Sequence, residues 1–546
     1  MNIPTSSGSP SVPRTRKRAK QACETCKQRK RKCDGQNPCG FCVRYEYYCA
    51  FDSQPRKRTA SASTRPASRT ETPRSTEERP KETLDDYGDG QQEMEATSGT
   101  AFPHVLGMKL NPRDAPGVYG VSWNLGLRDK PTRSFTNVTT LLTKDDMESY
   151  ARVYLNLIHP IYAILNGNDL LAAIPSRWQN ADQIGGYDAV LCSVAALGSL
   201  YSGSSSIHSR EAELVECAKE ILEATSSVNR PSLHHLTAWI LRTLYLRTTN
   251  SPHTSWMASS TAMHVAEAIG AHQDPQSGTL LYSDTRDTSG DDETRRRLFW
   301  VAVTLNSWIS NEYGRSRVLT RGVSCKVPAD GARDFTAELI HLYQISEKLD
   351  LEHGNDLATL LDCLNQVQIT DVGPDALQLS RVNLTLTIYR RLRVSSPSIP
   401  HEALTRIIHA ATVGLESAVR LANEHCPWWH VANVPFQVVC TLLAIDSRES
   451  LSIVGQAMRS LRKVSQQFQT ASMRHAVDAA ESLVRLSRRN KQRDLDDLKD
   501  GLDDGDLEVS EASQSMHGMT DIPELDWDAF LSADIPLLDS TSLTGT

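Results

Sequence analysis

Apolar residues recur along most of this chain at the spacing of helices, and they do so over one long block. From about residue 101 to about residue 490, segments with i, i+3, i+4 spacing dominate. One is predicted to start at Thr143-Lys144-Asp145-Asp146, where the threonine can cap the helix and the aspartates favour its first turn. Its apolar face reads Met147, Ala151, Tyr154, Leu157 and Ile158, and Pro160 ends it. A second face carries Leu404, Ile408, Ala411, Leu415 and Val419, and a third helix covers Arg295–Ile309. No strand-like alternation of comparable length competes, so the block reads as a large all-α domain. The most apolar stretch, Tyr187–Tyr201, is broken by Ser and Gly and is too short to span a bilayer.

Outside the block the periodicity disappears. Residues 53–100 are rich in Pro, Ser, Thr, Arg and Glu, show no leucine heptads, and read as a disordered linker. Residues 1–21 read as a disordered basic arm ending in Arg14–Lys20, with no apolar segment of a secretory signal. Residues 491–546 form an acidic tail broken by Gly and Ser.

Charge separates the two ends. The whole chain carries a net charge of -7, but residues 1–58 hold 14 Lys/Arg against 4 Asp/Glu, and residues 491–546 hold 3 against 15. A basic head and an acidic tail imply two different partners. Six of the 12 cysteines are scattered through the helical block without C-x-x-C spacing, as expected of a reducing, intracellular compartment.

The other six are concentrated in residues 22–52. Cys23, Cys26, Cys33, Cys39, Cys42 and Cys49 read C-x2-C-x6-C-x5-C-x2-C-x6-C, two equal units of three. Tetrahedral zinc needs four ligands, so six thiolates complete two sites only if two of them bridge. Between Cys26 and Cys33 lie Lys27, Arg29, Lys30, Arg31 and Lys32, five cations in six residues. Six thiolates and two Zn2+ leave the head at about +8, still attractive to a phosphate backbone. A disulfide framework would want an extracellular context, and a protein-binding zinc knob would not need so many cations.

In this spacing and basic arm the chain resembles the fungal zinc binuclear cluster (Zn2Cys6) transcription factors. The resemblance implies that the first and fourth cysteines, here Cys23 and Cys39, bridge the two ions. It also places the base-reading side chains three and four residues after the second cysteine, at Arg29 and Lys30, on a helix whose C-terminal end enters the major groove. The usual target is a CGG-like triplet, and guanine O6/N7 suits Arg or Lys. Lys27, Arg31 and Lys32 are assigned to phosphate contacts or solvated charge.

The family's middle homology region is similar to parts of residues 140–330. The matching stretches are Ile158-His159-Pro160, Ser255–His272, Arg295-Arg296-Arg297-Leu298-Phe299-Trp300 and Gly314-Arg315. This chain departs at Ser260 and His264, where Gly and Arg are common, and at Asn306-Ser307, where an Asp-Arg pair is common. The departures put internal ion pairs in question.

The tail interleaves aspartates with Leu525, Trp527, Phe530 and Leu531, a pattern expected of an activation segment for a coactivator groove.

Together these readings describe a nuclear, zinc-dependent, sequence-specific factor that binds double-stranded DNA at RNA polymerase II genes and contacts the transcription machinery. Repression in place of activation, or a metabolite-binding or enzymatic helical body with a DNA-binding head, are the competing readings. No phosphate loop, metalloprotease helix or nucleophile elbow stands out, and the pairs His264/His272 and Cys426/His430 are expected to be packed, so no enzyme and no membrane protein is predicted. Without heptads after the cluster, the chain binds as a monomer or forms a homodimer through its middle domain. The family sometimes senses a metabolite there, which leaves a small-molecule inducer open.

Overall fold

The structure, a computed structural model, describes residues 22–28, 33, 34, 36, 39, 42, 49, 102–111 and 136–500, the last range with gaps at 182–184, 204–209, 227–230, 250–251, 275–291, 330, 332–333, 350–355 and 397. The chain forms two units, one of residues 1–85 and 95–125, the other of residues 86–94 and 126–546. Among the described residues every regular element is a helix, as the periodicity predicts.

The first unit contains α1 (Glu24–Gln28) beside the cysteines and α2 (Phe102–Leu110). The second begins with α3 (Val138–Leu141), α4 (Lys144–Leu157) and α5 (Gly167–Gln179). Thr143 caps α4, its Oγ1 accepting from the Asp146 N–H at 3.2 Å. Met147, Ala151, Tyr154 and Ile158 are buried as expected, whereas Leu157 is 40% exposed. The i, i+4 step from Tyr154 to Ile158 keeps the core stripe, and Leu157 falls beside it. The His159-Pro160 turn then docks on a later helix: the Pro160 carbonyl accepts from Phe335 N–H at 2.7 Å.

The apolar stretch at Tyr187–Tyr201 becomes α6 (Asp188–Tyr201), with 13 of its 14 residues buried. Among the described residues no helix is long and apolar enough to cross a membrane. Helix α6 packs against α4, α7 (Glu211–Ser226) and α8 (Leu233–Thr249). Its buried Asp188 is held by Arg177 of α5 through two bonds of 2.6 and 2.9 Å. The same guanidinium reaches the Asn137 side chain and the Asn180 carbonyl, so one cation ties three segments together.

Helix α9 (Pro252–Ala268) joins α8 to α10 (Asp292–Glu312). The Arg295-Arg296-Arg297 run of α10 anchors neighbouring loops. Arg295 donates to the Ile269 carbonyl at 2.8 Å, Arg296 pairs with Asp274 at 3.1 Å, and Arg297 pairs with Asp334 at 2.8 Å. Gly314 ends the helix in the left-handed region (φ 59°), and Arg315 N–H closes back on the Ser310 carbonyl at 2.8 Å.

The departures at Ser260 and Asn306 explain each other. Asn306 Nδ2 donates to the hydroxyls of Ser259 at 3.0 Å and Ser260 at 3.3 Å, while its Oδ1 accepts from Val318 N–H at 2.8 Å. A neutral amide–hydroxyl network occupies this place, with Asn306 and Ser259 buried, Ser260 partly buried and the Asn306 amide matched at both ends.

Beyond α11 (Thr336–Glu347) and α12 (Leu357–Ile369), four long helices pack on one another: α13 (Asp375–Ser395), α14 (His401–Asn423), α15 (Trp429–Ile445) and α16 (Arg448–Gln467). A single hydrophobic core runs from Val138 to Ala480. The last helix, α17 (Ala471–Asp500), continues past residue 490, where apolar periodicity ends. Its final turns are exposed and rest on local pairs such as Gln492 to Asp496 at 2.9 Å, which stabilise a helix without burying it.

Candidate metal centre and nucleic-acid interface

The described cysteines of the two units repeat one backbone contact. In the first, Cys23 precedes α1 and its sulfur accepts from the Cys26 N–H at 3.4 Å; in the second, the Cys39 sulfur accepts from the Cys42 N–H at the same 3.4 Å. The tight C-x2-C turn thus aims a backbone donor at the first sulfur of each unit. A third backbone bond, Cys39 N–H to the Cys49 sulfur at 3.1 Å, brings the last cysteine back.

The sulfurs converge in two sets of four. Cys23, Cys26, Cys33 and Cys39 form one, and Cys23, Cys39, Cys42 and Cys49 the other, with all sulfurs of a set within 4.8 Å of one another. Cys23 and Cys39 belong to both. The sulfurs of Cys23 and Cys39 are 3.8 Å apart, and those of Cys23–Cys42 and Cys26–Cys39 3.7 Å. A tetrahedron of Zn–S bonds of ~2.3 Å has edges of ~3.8 Å, so the sulfurs stand where a zinc ion would hold them. Disulfides would require ~2.05 Å, and all six cysteines are free. An all-thiolate donor set of this size suits zinc.

Cys23, Cys26, Cys39 and Cys42 are fully buried, with Cys33 and Cys49 packed at the edge. Among the described residues this cluster's core consists of cysteines alone, so apolar packing contributes little to holding it. Burial opposes ionisation of the Cys23, Cys26, Cys39, Cys42 and Cys49 sulfurs. At Cys39 the Cys42 N–H and neighbouring thiols outweigh it and bring the pKa down to about 6. Cys23 moves the same way through Cys26. Burial, reinforced by the Cys23 and Cys39 sulfurs, pushes Cys26 and Cys42 well up, and Cys49 rises to about 11. The shared positions are therefore the ones whose thiolate form the turn N–H groups favour.

Lys27 is exposed on α1. Arg29, Lys30, Arg31 and Lys32 lie outside the described residues, as do Leu525, Trp527, Phe530 and Leu531. The backbone donors of Cys26 and Cys42 were not anticipated from spacing, although the internal repeat carries the signal: equal turns present equal N–H groups.

The histidine and cysteine pairs of the second unit do not form a site. His264 is exposed while His272 is buried and bonded to Gln273. Cys426 and His430 are buried, and burial, helped by the nearby Arg247 charge, holds the His430 imidazole far below its ordinary pKa. Between them Trp428 and Trp429 stack at 4.7 Å, with Tyr162 on Trp428 at 5.7 Å, a packing cluster. Among the described residues, only the N-terminal cysteines gather as a metal-binding group.

Comparison with known proteins agrees with this geometry. Residues 21–58 match the fungal Zn(2)-Cys(6) binuclear cluster domain, which binds two zinc ions, and residues 151–349 match the fungal specific transcription factor domain. The chain is 52% identical to transcription factor kojR of Aspergillus flavus, over 97% of both chains. It is 32% identical to protein RDR1 of Saccharomyces cerevisiae, over 96% of this chain and 98% of that one. A probable transcriptional repressor of Schizosaccharomyces pombe is 25% identical over 75% of this chain and 93% of its own length. A zinc-binding cysteine head on a helical body, shared with relatives along almost the full length, makes this chain a member of the fungal Zn2Cys6 family of DNA-binding transcription factors.

Proposed function

We propose that the chain is a nuclear activator of RNA polymerase II genes that reads CGG-like triplets. The observation that supports it most directly is the pair of four-sulfur sets sharing Cys23 and Cys39. In this reading Cys23, Cys26, Cys33 and Cys39 hold one zinc ion, and Cys39, Cys42, Cys49 and Cys23 the other. The scaffold then fixes the basic arm so that Arg29 and Lys30 reach guanine edges, while Lys27, Arg31 and Lys32 meet phosphates or solvent.

Lys30→Ala tests the base-reading role. Gel shifts on CGG and scrambled probes at several salt concentrations should show a loss on CGG of roughly 1–3 kcal/mol and a smaller one on the scrambled probe. Equal losses on both would make Lys30 a phosphate contact.

The acidic tail supplies activation through Leu525, Trp527, Phe530 and Leu531, side chains that a coactivator's apolar, basic-rimmed groove can take up. Repression is the second reading, favoured by the name of the Schizosaccharomyces pombe relative. Fusing residues 515–546 to an unrelated DNA-binding domain separates them. Activation predicts a reporter signal that Trp527→Ala and Phe530→Ala abolish; a silent reporter supports repression. Catalysis is not part of this function, and the second unit serves regulation and, in the dimeric form, self-association. Sedimentation with and without residues 101–490 reads that association directly.

A further inference from the structure

A cavity of about 1320 Å³ opens within the second unit, between α8, the end of α10 with its following turn, α11, α13 and α15. It exceeds the roughly 300–1,000 Å³ usual for small-molecule sites. Its charge is one-sided: six arginines line it against one carboxylate, Glu312. Glu312 and, from outside the lining, Glu347 neutralise two of them, Arg247 and Arg317.

The buried polar groups are one-sided too. Arg247 has a side chain only 1% exposed, donates through Nη2 to both Glu312 oxygens at 2.7 and 2.6 Å, and stacks 4.1 Å from the Trp429 ring centre. Among the described residues its Nε and Nη1 have no partner, nor do Trp429 Nε1 and the Tyr389 hydroxyl, all of them buried on residues that line the same cavity. Each can donate a hydrogen bond, and a buried donor left without an acceptor costs about 1–3 kcal/mol.

Arg390 hydrogen-bonds neutral groups, Gln437 at 2.7 Å and Thr387 at 2.8 Å, and among the described residues no carboxylate bonds it directly, Glu312 acting on it only from a longer range. Its side chain is open to solvent, yet desolvation by the surrounding protein lowers its pKa. Both hold for a cation on the wall of a deep recess: reachable by a small molecule, poorly solvated by bulk water.

We propose that this cavity is an effector site for a small organic anion, a carboxylate or phosphate carried on a planar ring. The anionic group meets Arg390, and the ring lies near Trp429 and Tyr389. Donor excess selects an acceptor-rich ligand, and charge-assisted bonds to a partly desolvated guanidinium are the strong ones.

Isothermal titration calorimetry on the full-length, zinc-loaded protein tests this with benzoate, phenyl phosphate and the uncharged benzyl alcohol. At least one anion should saturate at millimolar concentration where the alcohol does not, and the tighter of the two anions assigns carboxylate or phosphate. Arg390→Gln should weaken that anion about tenfold, equivalent to about 1.4 kcal/mol. Arg390→Lys should recover part of the affinity, and Arg462→Gln, a surface change on α16 away from the cavity lining, should leave it unchanged. Equal binding of the alcohol, failure of both anions to saturate, or wild-type affinity in Arg390→Gln would each overturn the proposal. The comparison of charged and uncharged probes on the unaltered protein stands even where a substitution impairs folding.

Discussion

Cys23 and Cys39 differ from the other four cysteines in one physical respect: each sits in both sulfur sets and accepts a backbone N–H from a C-x2-C turn. These donors favour the thiolate, while Cys26, Cys42 and Cys49 hold their protons well above neutral pH. Zinc binding must displace those protons. The sign follows: at neutral pH metal uptake releases protons, and acidification weakens apparent affinity as each thiolate is lost. Calorimetric zinc titrations in buffers of different ionisation enthalpy should show net proton release that shrinks as pH rises through about 11, the Cys49 value. A proton count near zero at pH 7 would mean that the thiols are already ionised.

At the scale of elements, the helical body is held by contacts with little tolerance. Gly198 of α6 faces the backbone of α4 so closely that an added Cβ would lie 2.3 Å from the Tyr150 carbonyl oxygen. Beside it, Asp188 depends on Arg177 for compensation of a fully buried charge. Arg177→Met should destabilise the body by about 3–5 kcal/mol, the cost of stranding a buried carboxylate, and Asp188→Asn in the same background should restore part of it. Denaturant melts of the single and double variants measure both. A loss below about 1 kcal/mol would place this pair with ordinary surface salt bridges. The helix start at Thr143 was legible because a capping residue, two aspartates and an apolar stripe all point one way. The last ten residues of α17 were not, because exposed side-chain pairs hold them, local at Gln492–Asp496 and distant at Lys491–Asp446, and apolar periodicity records only burial.

Across the whole molecule, what sequence reveals depends on how far apart cooperating residues lie. The cysteines fall within 27 residues, and zinc dictates their spacing, so two sites with shared ligands could be derived before any coordinates. Asn306 and Ser260 each looked like an isolated departure until folding placed them 3.3 Å apart. The arginine cavity draws on positions from Arg247 to Ala444, each unremarkable in its own helix, and only the packing of α8, α10, α13 and α15 assembles it. In the proposed division of labour the head reads DNA, the tail engages the machinery, and the body carries the regulatory input.

Two zinc ions that share Cys23 and Cys39 can be counted by native mass spectrometry of the full-length protein. Shared ligation predicts two zinc ions on the unaltered chain, and loss of both or partial, unstable loading in Cys39→Ser. One ion per chain, or two ions retained tightly in Cys39→Ser, would contradict it.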